Sequence, residues 1–345
     1  MHEPFFFLLP SCSFFIGMMI PLSVLDLAIV TRGGTIASAI GRTVRLAQHA
    51  EAEGYKRFWL AEHHNMQHVA SSATAVLIGH VAAATTSIRI GSGGIMLPNH
   101  APLSVAEQFG TLEALYPGRI DLGLGRAPGT DQLTARALRG NNVGPSYDFG
   151  LHIRELQHYF ENTSEHTPVR AFPGEGAEIP VWVLGSSTDS AYLAAEMGLP
   201  YAFAAHFAPA QFAVAAKIYR KNFKASAYLQ QPHMMACVNM IGADTDEEAA
   251  YLASSIYQMF LGIITNSRKP LQPPVHNMDE LWSGPERAAV AQMLSCTFTG
   301  SVGTLRSKLG SFIEQHELDE LMVTSNIFDP EARLQSFSIL KQALS

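Results

Sequence analysis

Apolar residues in this chain fall into short runs that end abruptly at polar residues or glycine. The runs at 58–60, 88–95 and 120–124 stop at Glu62-His63-His64, Ser92-Gly93-Gly94 and Gly125-Arg126. Runs this short, bounded this way, suit strands buried on both faces. Between them the apolar positions switch to helical spacing, as at Ile36, Ile40, Val44, Leu46, Ala47 and Ala50 ahead of Gly54. The pattern predicts strands at 22–30, 57–61, 88–95, 119–124, 180–184, 201–204, 233–241 and 319–324. It predicts helices at 35–53, 71–85, 103–115, 131–138, 147–162, 189–197, 209–224, 246–262, 302–316 and 330–342.

Eight strands alternating with helices, with no hairpin signal, imply parallel strands joined by crossovers. The expected fold is α/β, a single (β/α)8 TIM barrel over residues 20–345, rather than an open doubly wound sheet. Two segments interrupt the rhythm. Residues 163–179 read as a polar loop. Residues 266–286 carry Pro270, Pro273, Pro274, Gly284 and Pro285, which marks an irregular insertion between strands 7 and 8. Residues 1–19 form an apolar leader without a basic start or a small-residue cleavage site, so a disordered or non-native extension is expected there. No other stretch approaches the roughly 20 apolar residues of a membrane span.

Composition narrows the class. Of 345 residues, 47% are hydrophobic and only 15% charged, which leaves enough apolar surface for a large core and a homodimer interface. A net charge of −7 with no Lys/Arg cluster excludes phosphate-backbone binding and thus nucleic acid. Cys12, Cys237 and Cys296 are scattered and form no CxxC pair, so neither a disulfide framework nor a thiolate metal site is indicated. A reducing cytoplasm is the expected compartment.

Barrels of this kind place chemistry at the carboxyl ends of their strands. His63 and His64 follow strand 2. An imidazole can move a proton near neutral pH, and neighbours in extended chain face opposite ways, so one of them at most faces the mouth. Either could instead pack the strand end. A metal site would recruit Glu62 and His68, but the helical HExxH spacing and further ligands are missing, and no metal is expected. Gly91-Ser92-Gly93-Gly94 ends strand 3, where glycines either admit a flat ring or form a bulge. Gly123 to Gly129 has the spacing GxGxxxG, not that of a dinucleotide fingerprint. Arg126 is a fixed cation for a phosphate or a ring carbonyl. Gly185-Ser186-Ser187-Thr188-Asp189-Ser190 can cradle a phosphate at a helix N-terminus, or simply cap that helix.

Taken together and in this order, these elements resemble the bacterial luciferase-like flavin monooxygenase family, in its single-subunit branch. The resemblance is densest in AEHHN (61–65), GSGGIMLPNHAP (91–102), VAEQFGTLEALYPGRIDLGLGRAPG (105–129) and the segment 184–207. It implies a (β/α)8 barrel, FMN as cofactor, reduced by a separate flavin reductase, and O2 activated as a C4a-peroxyflavin to oxidise a small organic substrate. It implies His63 as the catalytic histidine and Gly93-Gly94 as a cis peptide beneath the flavin ring. It also implies Arg126 with Gly185, Ser186 and Ser187 as flavin-binding residues. Gly125 stands where luciferase has a reactive cysteine, which removes thiol chemistry. An F420-dependent dehydrogenase on the same barrel and a non-catalytic flavin-binding protein are the alternatives.

Overall fold

A computed structural model describes residues 20–127, 130–139 and 147–345. The leader at 1–19 lies outside the described residues, as do Pro128 and Gly129. Nine strands are described: β1 Leu22–Asp26, β2 Arg57–Leu60, β3 Arg89–Met96, β4 Ile120–Gly125, β5 Val181–Gly185, β6 Tyr201–Phe203, β7 Met234–Gly242, β8 Thr297–Gly300 and β9 Glu320–Thr324. Each of β1 to β7 pairs in parallel with the next. β9 then joins β7 to β1 and closes a ring of eight strands. The fold is a (β/α)8 barrel.

The helices are α1 Ile36–Ala52, α2 Thr74–Ala83, α3 Pro102–Leu115, α4 Gln132–Arg139, α5 Phe149–Phe160, α6 Thr188–Met197, α7 Phe212–Asn222, α8 Asp246–Ile264, α9 Gly284–Met293, α10 Val302–His316 and α11 Pro330–Ala343. Local signals set their ends. Thr35 and Ser38 form a reciprocal capping box on α1. Three acidic residues complement the first turn of α8, and Gly198, at φ +62°, ends α6.

Two expectations need correction. Strand 1 was expected to reach residue 30 but ends at Asp26. The Asp26 carboxylate is buried and accepts from Thr43 Oγ1 at 2.6 Å and Arg333 Nη2 at 2.7 Å. Two residues on, Ala28 has φ +50°, which breaks the extended run. The insertion between the seventh and eighth barrel strands is more regular than its prolines suggest. It contains α9, started by Pro285 and a Ser283–Glu286 capping box, and the ninth strand β8, which pairs only with the far half of β7.

Side chains alternate across the barrel wall. Leu25, Trp59, Ala61, Trp182, Met235 and Met322 point inward and form one apolar cluster. At the amino-terminal end, Arg57 Nη1 donates to Asp121 Oδ2 at 2.6 Å and Arg57 Nε to Glu320 Oε1 at 2.7 Å. Its guanidinium lies 4.7 Å over the Trp182 ring. Packed aromatics on a satisfied ion pair form a solid floor, which leaves the carboxyl end as the open mouth.

Candidate active site

The site begins at β2. Alternation carries Trp59 and Ala61 to the interior, and the same parity points to His63 as the next inward side chain. Glu62, on the other parity, is 1% exposed and gathers the neighbouring groups. It accepts from His64 Nε2 at 2.8 Å, from His100 Nε2 at 3.0 Å, from the Met96 backbone N–H at 3.0 Å and from Asn99 Nδ2 at 3.3 Å. Burial pushes this carboxyl up, but the bonds and charge from His100, with those from His64 and Met96, hold it below the ordinary glutamate value. The adjacent histidines are therefore divided. His64 is tied into the wall, and His63 lies within electrostatic reach of His68 and His206. Glu62 and His68, paired in the metal hypothesis, belong to different clusters. Among the described residues no group of three or more His, Cys, Asp or Glu is placed to hold a metal ion.

β3 supplies the next stretch of wall. The Gly93–Gly94 peptide is cis. The register against β4 slips between Gly93 and Ile95, so Gly94 is the extra residue of a bulge. A Cβ on Gly93 would stand 2.6 Å from Leu25 Cδ1, and one on Gly94 2.6 Å from the Gly123 carbonyl oxygen. Backbone packing thus requires glycine at 94 before any ligand is considered, whereas a Cβ at 93 has to displace the end of the Leu25 side chain.

Arg126 follows β4, and Gly185-Ser186-Ser187 follows β5, its neighbour in the barrel. The structure brings them together. Arg126 is 58% exposed and its Nη2 stands 3.6 Å from Asp189 Oδ2 in the first turn of α6. Ser187 is the N-cap residue of α6 yet makes no side-chain capping bond. Ser190 Oγ donates to the Ser187 carbonyl at 2.7 Å and meets Tyr201 Oη at 2.9 Å, which fixes the loop from behind. At Gly185 any Cβ would collide with Ser190. A cleft of about 460 Å³ opens here, lined by Arg126, Tyr147, Asp148, Asp189, Ser190 and Leu193. A guanidinium and a helix N-terminus on one cleft can hold an anion.

Residues 22–309 match the family model described as luciferase-like monooxygenase. The chain belongs to the luciferase-like monooxygenase family. A luciferase-like monooxygenase of Escherichia coli (strain K12) is 49% identical over 320 residues, covering 93% of this chain and 96% of that one. The N-acetyl-S-alkylcysteine monooxygenase of Bacillus subtilis (strain 168) is 45% identical over 190 residues, 54% of this chain and 57% of that one. Among solved structures, apo-MsnO8 superposes with a TM-score of 0.88 at 34% identity, covering 94% of this chain and 98% of that one. Two more distant structures share the fold. The FMN complex of a type II Baeyer–Villiger monooxygenase from Pseudomonas putida has a TM-score of 0.71 at 17% identity, covering 94% and 97%. An F420-dependent secondary alcohol dehydrogenase has 0.68 at 14%, covering 95% and 100%.

Two groups in this chain escaped sequence reasoning. One is the Glu62 hub, whose partner His100 is 38 positions away. The other is His206, just past the end of β6. Its signal was available: a polar side chain three positions past a strand's carboxyl end, in the string AFAAHF. No helix among the described residues is long and apolar enough to cross a membrane.

Proposed function

We propose that the protein is a flavin-dependent monooxygenase that oxidises a small organic substrate with O2 at the carboxyl-terminal mouth of the barrel. Reduced FMN is its cofactor, delivered by a separate flavin reductase. The observation that carries this reading is the convergence of His63, Gly93–Gly94, Arg126 and the Gly185–Ser187 loop on four neighbouring strand ends, in a chain of this family. The residues suit the group on their own chemistry. Arg126 is an exposed cation whose contact with Asp189 is loose at 3.6 Å, and the Ser187 side chain is not spent on capping.

Arg126, Ser186 and Ser187 would hold the phosphate at the start of α6, and the Gly93–Gly94 wall would lie against the ring. The bound flavin supplies the activation of O2. His63 would give or take a proton through a ring nitrogen. Ala61, Leu184 and Cys237 make the lining below it apolar, which keeps water from the reacting atoms. A thioether is one substrate class to include in any screen, since a relative is named for N-acetyl-S-alkylcysteines.

Anaerobic titration with reduced FMN, oxidised FMN and F420 tests the reading. Reduced FMN is expected to bind most tightly, and its oxidation by O2 to be altered by the protein. Preference for F420 would transfer the assignment to a dehydrogenase. Binding of oxidised FMN alone, without oxygen consumption, would transfer it to a flavin-binding protein.

A further inference from the structure

A second cleft, of about 480 Å³, opens on the carboxyl-terminal face of the barrel. That volume is in the range of small-molecule sites. Asn99 and His100 line it from the segment after β3, and Arg139 from the end of α4. Tyr147, His152 and Glu155 line it from α5 and the residues leading into that helix. Tyr147 also lines the cleft beside Arg126, so the two clefts adjoin. The rings of Tyr147 and His152 stack 4.4 Å apart and 7° from parallel, which gives the second cleft one flat wall.

Arg139 is the unsatisfied group here. A guanidinium has five N–H donors. Arg119 places its own in four hydrogen bonds to the protein. Arg139 makes one, from Nε to Asn99 Oδ1 at 3.0 Å. Its Nη2 is buried without a partner. Its Nη1 has no partner either but is not buried, so Nη1 is the atom that a ligand can reach. Among the described residues no carboxylate forms an ion pair with Arg139, Glu155 included; Glu155 is exposed and accepts from Tyr159 Oη at 3.3 Å instead. The arginine is half-buried, where a charge without a counter-ion costs more than in open water.

Hydrogen bonds tie this cleft to the strand end that carries His63. Asn99, which holds Arg139, donates from Nδ2 to Glu62 Oε1 at 3.3 Å. His100 donates from Nε2 to the same carboxylate at 3.0 Å. Glu62 directly precedes His63. The free face of Arg139 is thus presented by a side chain braced, through Asn99, against the end of β2.

We propose that the cleft is an acid subsite, in which Arg139 Nη1 binds the carboxylate of an organic acid whose other end reaches towards His63. Taking that acid as the substrate rests on the flavin reading above. The binding of a carboxylate by Arg139 does not.

The test uses one thioether with and without the charge, 4-(methylthio)butanoate and its amide. Both are titrated into ligand-free wild type, Arg139→Gln and Arg139→Lys. Wild type is expected to bind the acid roughly 10–100-fold more tightly than the amide, the scale of a charge-assisted hydrogen bond. Arg139→Gln is expected to bind the two alike, and Arg139→Lys to keep part of the preference. In wild type the acid is expected to move the backbone amide NMR signals of Asn99, His100 and Arg139, a reading that needs no variant to fold. Equal binding of acid and amide by wild type, unmoved signals, or an undiminished preference in Arg139→Gln would overturn the proposal. A second arm titrates FMN and riboflavin. Arg139→Gln is expected to keep the wild-type ratio of the two affinities. If it weakens FMN alone, the guanidinium serves the cofactor's phosphate and the acid subsite is refuted. If wild type prefers the acid but binds no flavin, the flavin reading fails and the carboxylate site stands.

Discussion

Glu62 and His64 meet at 2.8 Å, Oε1 to Nε2, and their contact separates two histidines that adjoin in sequence. His64 completes a buried carboxylate's hydrogen bonding. His63 lies within electrostatic reach of His206. The two alanine variants should therefore fail differently. His64→Ala is expected to lower stability by about 1–3 kcal/mol, because a buried acceptor loses its donor. Its turnover should stay within a few-fold of wild type. His63→Ala is expected to melt near wild type and lose roughly 10²–10⁴-fold in turnover, the usual contribution of a positioned proton carrier. Thermal melts and single-turnover kinetics on both proteins check this.

The floor of the barrel governs acid stability. Glu320 is fully buried and its carboxyl is lowered to about 2. Burial alone would raise it. The His233 ring, the Arg57 charge and the hydrogen bonds from Ser23 and Arg57 outweigh that. A carboxyl lowered in the folded state stabilises fully above its unfolded value, and the benefit is lost as pH falls through the folded one. The melting temperature should therefore hold down to about pH 5 and fall steadily towards pH 2. Glu320→Gln, which leaves the buried Arg57 with Asp121 but without its second carboxylate, should cost about 1–3 kcal/mol at pH 7 and flatten that decline. Denaturant unfolding across pH tests both statements.

The two bulge glycines should differ in tolerance. A methyl at Gly93 meets the end of the Leu25 side chain, which can turn aside. A methyl at Gly94 meets the backbone carbonyl of Gly123 at 2.6 Å, which is held in the β3–β4 ladder. Gly94→Ala should destabilise by about 1–3 kcal/mol or more, and Gly93→Ala by less. Equal effects in chemical denaturation would contradict this packing argument.

Much of this was legible in the sequence, for a physical reason. Buried parallel strands write themselves as apolar runs, and their carboxyl ends as sudden changes to His, Gly and Arg. His63, Arg126 and Ser186-Ser187 were visible because each breaks such a run. What stayed hidden depended on partners far away in the chain. Nothing near Glu62 announces His100, and nothing near Asp26 announces Arg333, whose bond comes with the early end of β1. β8 was missed because Thr297–Gly300 has one large apolar residue and no periodicity to read.

Arg126 makes a prediction about ligand form. If it anchors a phosphate, Arg126→Ala should weaken FMN binding by roughly 10–100-fold, the scale of a charge-assisted bond. Riboflavin, which has no phosphate, should bind wild type and variant alike. Fluorescence titration with both flavins separates a phosphate contact from a general loss of the site.

The central claim is that this mouth inserts one atom of O2 into an organic substrate. The most direct measurement supplies purified protein with reduced FMN, ¹⁸O2 and a panel of thioethers, aldehydes, alkanes and sulfonates, followed by mass spectrometry. The account predicts a product carrying one ¹⁸O atom, absent in His63→Ala. Substrate oxidation that proceeds without O2 and reduces F420 instead would contradict it.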